Sequence, residues 1–180
     1  MRQIQDIAVG SGTTDPTRTD VALTAELASK NIDSWEDTLI SPDSVGLSTV
    51  KAQVTWLSLE ANGTIAEIGL KFDDGSLVTH ALFKKLTITG ITQANPAVVT
   101  FSAPHGLVTG DELRIEGVVG MVEVNDRNFV ITVVDADELS LDGEDSTGHT
   151  AYTSGGNGFL IVEKSVGEVV QTNYVMTYDS

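Results

Sequence analysis

Cysteine is absent from the 180 residues. That absence excludes disulfides, thiolate nucleophiles and cysteine-ligated zinc together. Histidine is nearly as scarce: His80, His105 and His149 stand isolated, with no metal-ligand spacing between any two. No apolar run approaches the roughly 18 residues of a membrane-spanning helix. The opening "MRQIQDIAVGSGTTDPTRTD" has no apolar stretch behind a basic one, so no secretory leader is expected. Basic residues are few as well. Ten Lys and Arg stand against 26 Asp and Glu, a formal net charge of −16. Such a surface repels phosphate backbones and anionic lipid, so the expected partners include no nucleic acid and no membrane.

What remains is a chain with 41% hydrophobic residues, enough for a packed core. Helical spacing occurs in one place. "TRTDVALTAELASKN" sets Val21, Ala25 and Ala28 on one face, with Thr19 or Asp20 as cap and Asn31 as exit, and predicts one short helix. Ahead of it "GSGTTDPT" is loop by composition and lacks the Gly-Lys-Ser/Thr ending of a phosphate loop. From Ser48 the period becomes two. "TVKAQVTWLSLE" alternates Val50, Ala52, Val54 and Trp56 with polar residues, and Asn62-Gly63 and Asp74-Gly75 are hairpin signals. These predict a three-stranded antiparallel meander. "GEVVQTNYVMTYDS" alternates again, and its partners are expected among the meander strands.

Between the two lies residues 89–158, with 2 basic and 11 acidic residues. Its short runs "AVVTFS", "ELRIEGV", "NFVITVVD" and "ELSLD" follow at the spacing of a small barrel or sandwich. The predicted fold is therefore mainly β. An α+β outer domain, residues 1–88 plus 159–180, carries one short helix and an antiparallel sheet, and residues 89–158 form an inserted all-β module. "KKLTITG" and "NGFLIVEK" are expected to pair antiparallel at the root of the insert.

Candidate sites are few. His105 precedes a glycine at a strand-to-turn junction, where an imidazole serves neighbouring backbone more readily than a metal. "DADELSLDGEDSTG" offers Asp135, Asp137 and Asp142 as weak candidates for a hard cation, but without the fixed oxygen offsets of an EF-hand loop. Asp73-Asp74 reads as a turn and Glu36-Asp37 as a solvated pair. No Gly-x-Ser-x-Gly is present. No catalytic residue, cofactor or metal is expected. Ile4, Ile7, Val9, Val21 and Leu23, in the N-terminal loop and predicted helix, are the candidate interface residues.

The middle segment resembles a small β-barrel module of phage tail and other virion proteins, similar to the first catalytic-cysteine half-domain of ubiquitin-activating enzymes. The likeness rests on His105-Gly106-Leu107, Gly110-Asp111, Gly120-Met121, Asn125, Phe129 and Tyr152 with Gly155-Gly156. Without a cysteine, ubiquitin activation does not carry over. The outer segments "IAVGSGTTDPTRTDVALTAEL", "LEANGTIAEIGLKFDDGSLVTHALF" and "KSVGEVVQTNYVMTY" resemble a phage tail or fibre-associated domain. The resemblance implies a non-enzymatic structural component of a bacteriophage virion, made in the bacterial host cytoplasm. It would sit in the tail, baseplate or fibre-attachment region, with other virion proteins and its own copies (a homo-oligomer) as partners. The alternatives are a capsid decoration or collar protein and, from another class, a host-glycan-binding module.

Overall fold

The computed structural model describes residues 2–39 and 47–179. The chain divides into two compact units, Met1–Leu82 with Glu163–Ser180, and Phe83–Val162. Both are built from antiparallel strands.

In the first unit, β1 (Ile4–Gly10), β2 (Glu26–Asn31), β3 (Ser34–Leu39), β4 (Leu47–Trp56), β5 (Gly63–Ile65), β6 (Glu67–Phe72) and β7 (Leu77–Leu82) precede the barrel. One sheet has the order β2-β1-β6-β7. Its inner strand β1 buries Ile7, Ala8 and Val9 completely, and Leu70 on β6 is buried likewise. The Asp74-Gly75 signal is honoured. Gly75 takes φ +80°, and Lys71 pairs with Leu77 across the turn. Only glycine and a few polar residues adopt that φ cheaply.

The predicted helix is not formed. Asp20 accepts the Thr17 N–H at 2.9 Å, so it closes a turn where it was expected to cap a helix. Residues 26–31 then lie along β1 as β2, with Ala8 opposite Ser29 and Val9 opposite Ala28. A lone helix of this length is marginal, whereas β1 offers a full row of backbone partners. Val21, the first residue of the supposed helical face, is 82% exposed.

The predicted meander is also corrected. β4 pairs with β3 and with β14 (Val170–Asp179), and not with β6. The β4–β14 ladder runs ten residues, from Trp56 opposite Val170 to Leu47 opposite Asp179. Trp56 is buried on it and donates its indole N–H to Thr172 Oγ1 at 2.8 Å. The Asn62-Gly63 hairpin is not formed: the turn closes over residues 57–60, where the Glu60 N–H donates to Leu57 O at 3.0 Å, and Gly63 already opens β5, which does not pair with β4. That turn is pinned by Lys164, whose buried ammonium donates to Leu57 O at 2.9 Å and Asn62 Oδ1 at 3.0 Å. The C-terminal strand does find its partner in the alternating strand a hundred residues upstream.

The second unit is a closed barrel of β8 (Lys85–Ile91), β9 (Val98–Phe101), β10 (Glu112–Val119), β11 (Arg127–Val133), β12 (Glu138–Leu141) and β13 (Ser154–Lys164). Around the barrel the order is β8-β9-β12-β11-β10-β13, and β13 pairs with both β10 and β8 to close it. A 3-10 turn, Val122–Val124, is its single helical element among the described residues. Alternate residues point inward. Leu113 and Ile115 on β10, Ile131 on β11 and Leu139 and Leu141 on β12 are fully buried. The segments expected to form a root, 84–90 and 157–164, do pair, with Leu86 opposite Gly158, but as staves of this barrel.

Candidate functional site

His105 lies between β9 and β10 and is 2% exposed. Its Nε2 donates to Asp135 O at 2.8 Å and its Nδ1 accepts the Leu107 N–H at 3.0 Å. Gly106, at φ +57°, turns the chain so that Leu107 returns to the same ring. Both nitrogens are thus engaged by backbone, which fixes the tautomer and leaves none for a metal or a proton transfer.

The acidic candidates serve turns. Asp135 accepts its neighbour's N–H, from Ala136, at 2.6 Å, and Asp137 gives its carbonyl to the Phe101 N–H at 2.9 Å. Asp142 accepts the Thr132 hydroxyl at 3.2 Å. Among the described residues, no group of three or more His, Cys, Asp or Glu could hold a metal ion.

Two networks escaped the sequence reading. In the barrel, the buried Glu144 is gripped by both Arg127 guanidinium nitrogens, at 2.9 and 2.6 Å. Arg127 also lies over the Phe129 ring, 4.7 Å from its centre. Ser146, fully buried, donates to Thr92 O at 2.7 Å and accepts the Ala94 N–H at 3.0 Å. The Glu144 carboxylate thus ties its loop to the start of β11, and Ser146 ties the same loop to residues 92–94.

The second network is in the first unit. Glu67, on β6, is fully buried. Its Oε1 accepts N–H groups of Gly12 at 3.0 Å and Ala25 at 2.8 Å, and its Oε2 accepts Thr24 N–H at 3.1 Å and His80 Nε2 at 2.8 Å. These four fill the lone-pair sites of a carboxylate. A Cβ on Gly10 or Gly12 would strike that carboxylate. The loop "GSGTTDPT" gives one donor, the Gly12 N–H, to an anion, and that anion is the protein's own Glu67. The signal available in sequence was one charged residue in the apolar run "IAEIGL", together with a glycine pair far upstream.

On its other side the His80 ring presents Nδ1 to Asp20 at 2.7 Å. Both contacts are hydrogen bonds when each ring nitrogen carries a proton. A catalytic histidine keeps one nitrogen for the reacting group. His80, held between two carboxylates, has none to spare, and its role is to tie the residue 11–25 loop to β6 and β7.

The Asp20 carboxyl is held down at about 2, first by the Thr17 hydroxyl, then by the Thr17 N–H and by His80. A depressed carboxyl stabilises the fold above its unfolded pKa near 4, and loses that contribution as pH falls towards 2. Wild-type protein should therefore exceed Asp20→Asn in urea midpoint at pH 6, with the difference shrinking between about pH 4 and pH 2. A difference independent of pH across that window would count against the contact.

The candidate interface residues are distributed differently from the expectation. Ile7 and Val9 are fully buried on β1 and Leu23 is 6% exposed, so within this chain they form core. Ile4 is half-buried at the start of β1, and Val21 stands in solvent. The N-terminal segment is an inner strand because β2 and β6 flank it on both sides.

Residues 94–159 match the family model of the ubiquitin-activating enzyme E1 FCCH domain. The match covers the barrel without β8, from the turn before β9 to the middle of β13. No curated protein matches the chain.

Proposed function

We propose that the chain is a non-enzymatic structural component of a bacteriophage virion, of the tail, baseplate or fibre-attachment region, with the barrel as an interaction platform. The reading is carried by the positions at which the barrel resembles virion modules, because those residues hold the barrel together. His105 and Gly106 lock one turn. Asn125 closes another, accepting the Val118 N–H and donating to Val118 O, both at 2.8 Å. Gly120, at φ +93°, passes so near Ala151 O and Thr153 that a side chain would collide. Tyr152 donates its hydroxyl proton towards Ile88 O at 3.2 Å and Gly155 O at 3.0 Å. These are scaffold duties, consistent with a module selected for shape.

A glycan platform presents exposed rings. In the barrel, Phe101, Phe129 and Phe159 are buried and the Tyr152 hydroxyl faces backbone, which weighs against a host-glycan site. Antibodies raised against the chain and applied to purified particles test the reading. Regularly spaced label on one part of the particle is expected. Recovery of the chain only in the soluble fraction of the lysate, with unlabelled particles, overturns it.

A further inference from the structure

Strand β14 ends the sheet β14-β4-β3. Its inner side is joined to β4 along all ten residues. Among the described residues no strand pairs with its outer side. Every second residue of an antiparallel strand turns its N–H and C=O away from the partner it already has, so β14 offers a long row of open backbone groups.

Such edges are normally protected by charge, proline or shortness. The other edges of this unit are protected. β2 carries Glu26 and Lys30, paired with Lys71 and Glu60. β3 carries Glu36, paired with Lys51. β7 is six residues long and half-buried throughout. β14, "VQTNYVMTYD", has no proline and no basic residue, and its one carboxylate, Asp179, is at its end. In its middle Val175 is 55% exposed.

We propose that β14 pairs antiparallel with β14 of a second copy of this chain, about a two-fold axis normal to the sheet at Val175. The proposal rests on the virion reading above, in which copies of this chain are among the expected partners, and names the surface that would join them. Electrostatics selects a second copy as the occupant. Two chains of net charge −16 repel, so a seam between them has to be nearly free of charge. β14 is the long edge that meets this condition, since β7 and β5, which lack Asp, Glu, Lys and Arg, have six and three residues against its ten. In the register centred on Val175, Asp179 falls opposite Gln171 of the partner subunit and never opposite its own copy. A two-fold seam is also closed, so pairing stops at two chains and does not run on into fibres.

The chain has no cysteine, which makes the test clean. Val175→Cys places two thiols across the axis at the separation of directly opposed antiparallel residues, within disulfide reach after small adjustment. Val21→Cys, at a site 82% exposed, is the control. Under mild oxidation of the full chain, Val175→Cys is expected to give a covalent dimer at least about tenfold faster than Val21→Cys, through the high local concentration at a seam. Sedimentation of the wild type should show a dimer dissociating on dilution. A wild type that is monomeric throughout overturns the proposal. So does a dimer in which Val175→Cys couples no faster than the control, and that result leaves self-assembly standing through another surface. The particle-labelling experiment decides the virion reading independently of either outcome.

Discussion

Replacing Glu67 by alanine is expected to lower the stability of the first unit by about 3–5 kcal/mol, the cost of removing one partner from a buried charged network. The substitution leaves the N–H groups of Gly12, Thr24 and Ala25 without their acceptor and His80 with one carboxylate in place of two. The measurement is favourable because both tryptophans, Trp35 and Trp56, belong to this unit and the barrel has none. Urea unfolding followed by tryptophan fluorescence should move to lower denaturant, while the barrel transition stays in place. Glu67→Gln should fall between, since its amide keeps one acceptor oxygen but turns an NH2 towards donors. An unchanged tryptophan transition in Glu67→Ala would show that the loop is held by something else.

The second large effect concerns Phe83–Val162. β8 and β13 are neighbours, with Phe159 opposite Lys85 and the Leu160 N–H on Lys84 O at 2.9 Å, so the chain enters and leaves the barrel side by side. Loop-closure entropy changes slowly with length. Replacing residues 83–162 by a glycine-containing turn of a few residues should therefore leave the tryptophan transition within about 1 kcal/mol of the full chain. The excised 83–162 fragment should unfold in one cooperative step, followed by Tyr152, its single tyrosine. A fragment without a cooperative transition, or a shortened chain without a tryptophan transition, would mean that the two units do not fold separately.

What the sequence disclosed, and what it hid, follows from the range of the interactions. Period-two alternation identified β4 and β14, and Asp74-Gly75 identified the β6–β7 turn, because these signals lie within a few residues of the structure they produce. The short barrel strands were legible for the same reason. The turn role of His105 was legible from the glycine after it. The segment from Thr17 to Asn31 was misread because its helical spacing was real but unsupported. Its fate was decided by β1, which needed a neighbour, and by Glu67, more than forty residues away, which accepts the Thr24 and Ala25 N–H groups. The interface candidates failed to anticipate burial for a related reason. Ile7 and Val9 look like accessible residues near a terminus until β2 and β6 are seen on either side. Buried carboxylates such as Glu67 and Glu144 leave almost no local trace, since their partners come from distant parts of the chain.

The side-by-side entry and exit of the barrel also set its response to force. Tension applied through Phe83 and Val162 would draw β8 away from β13 crosswise, loading their hydrogen bonds one after another from the open end. The β4–β14 ladder of the other unit has a different geometry. Its ten pairs share a load applied along the strands, because antiparallel bonds lie perpendicular to the pull and are sheared together. Under mechanical strain the barrel would be the compliant element and the β4–β14 ribbon the stiff one.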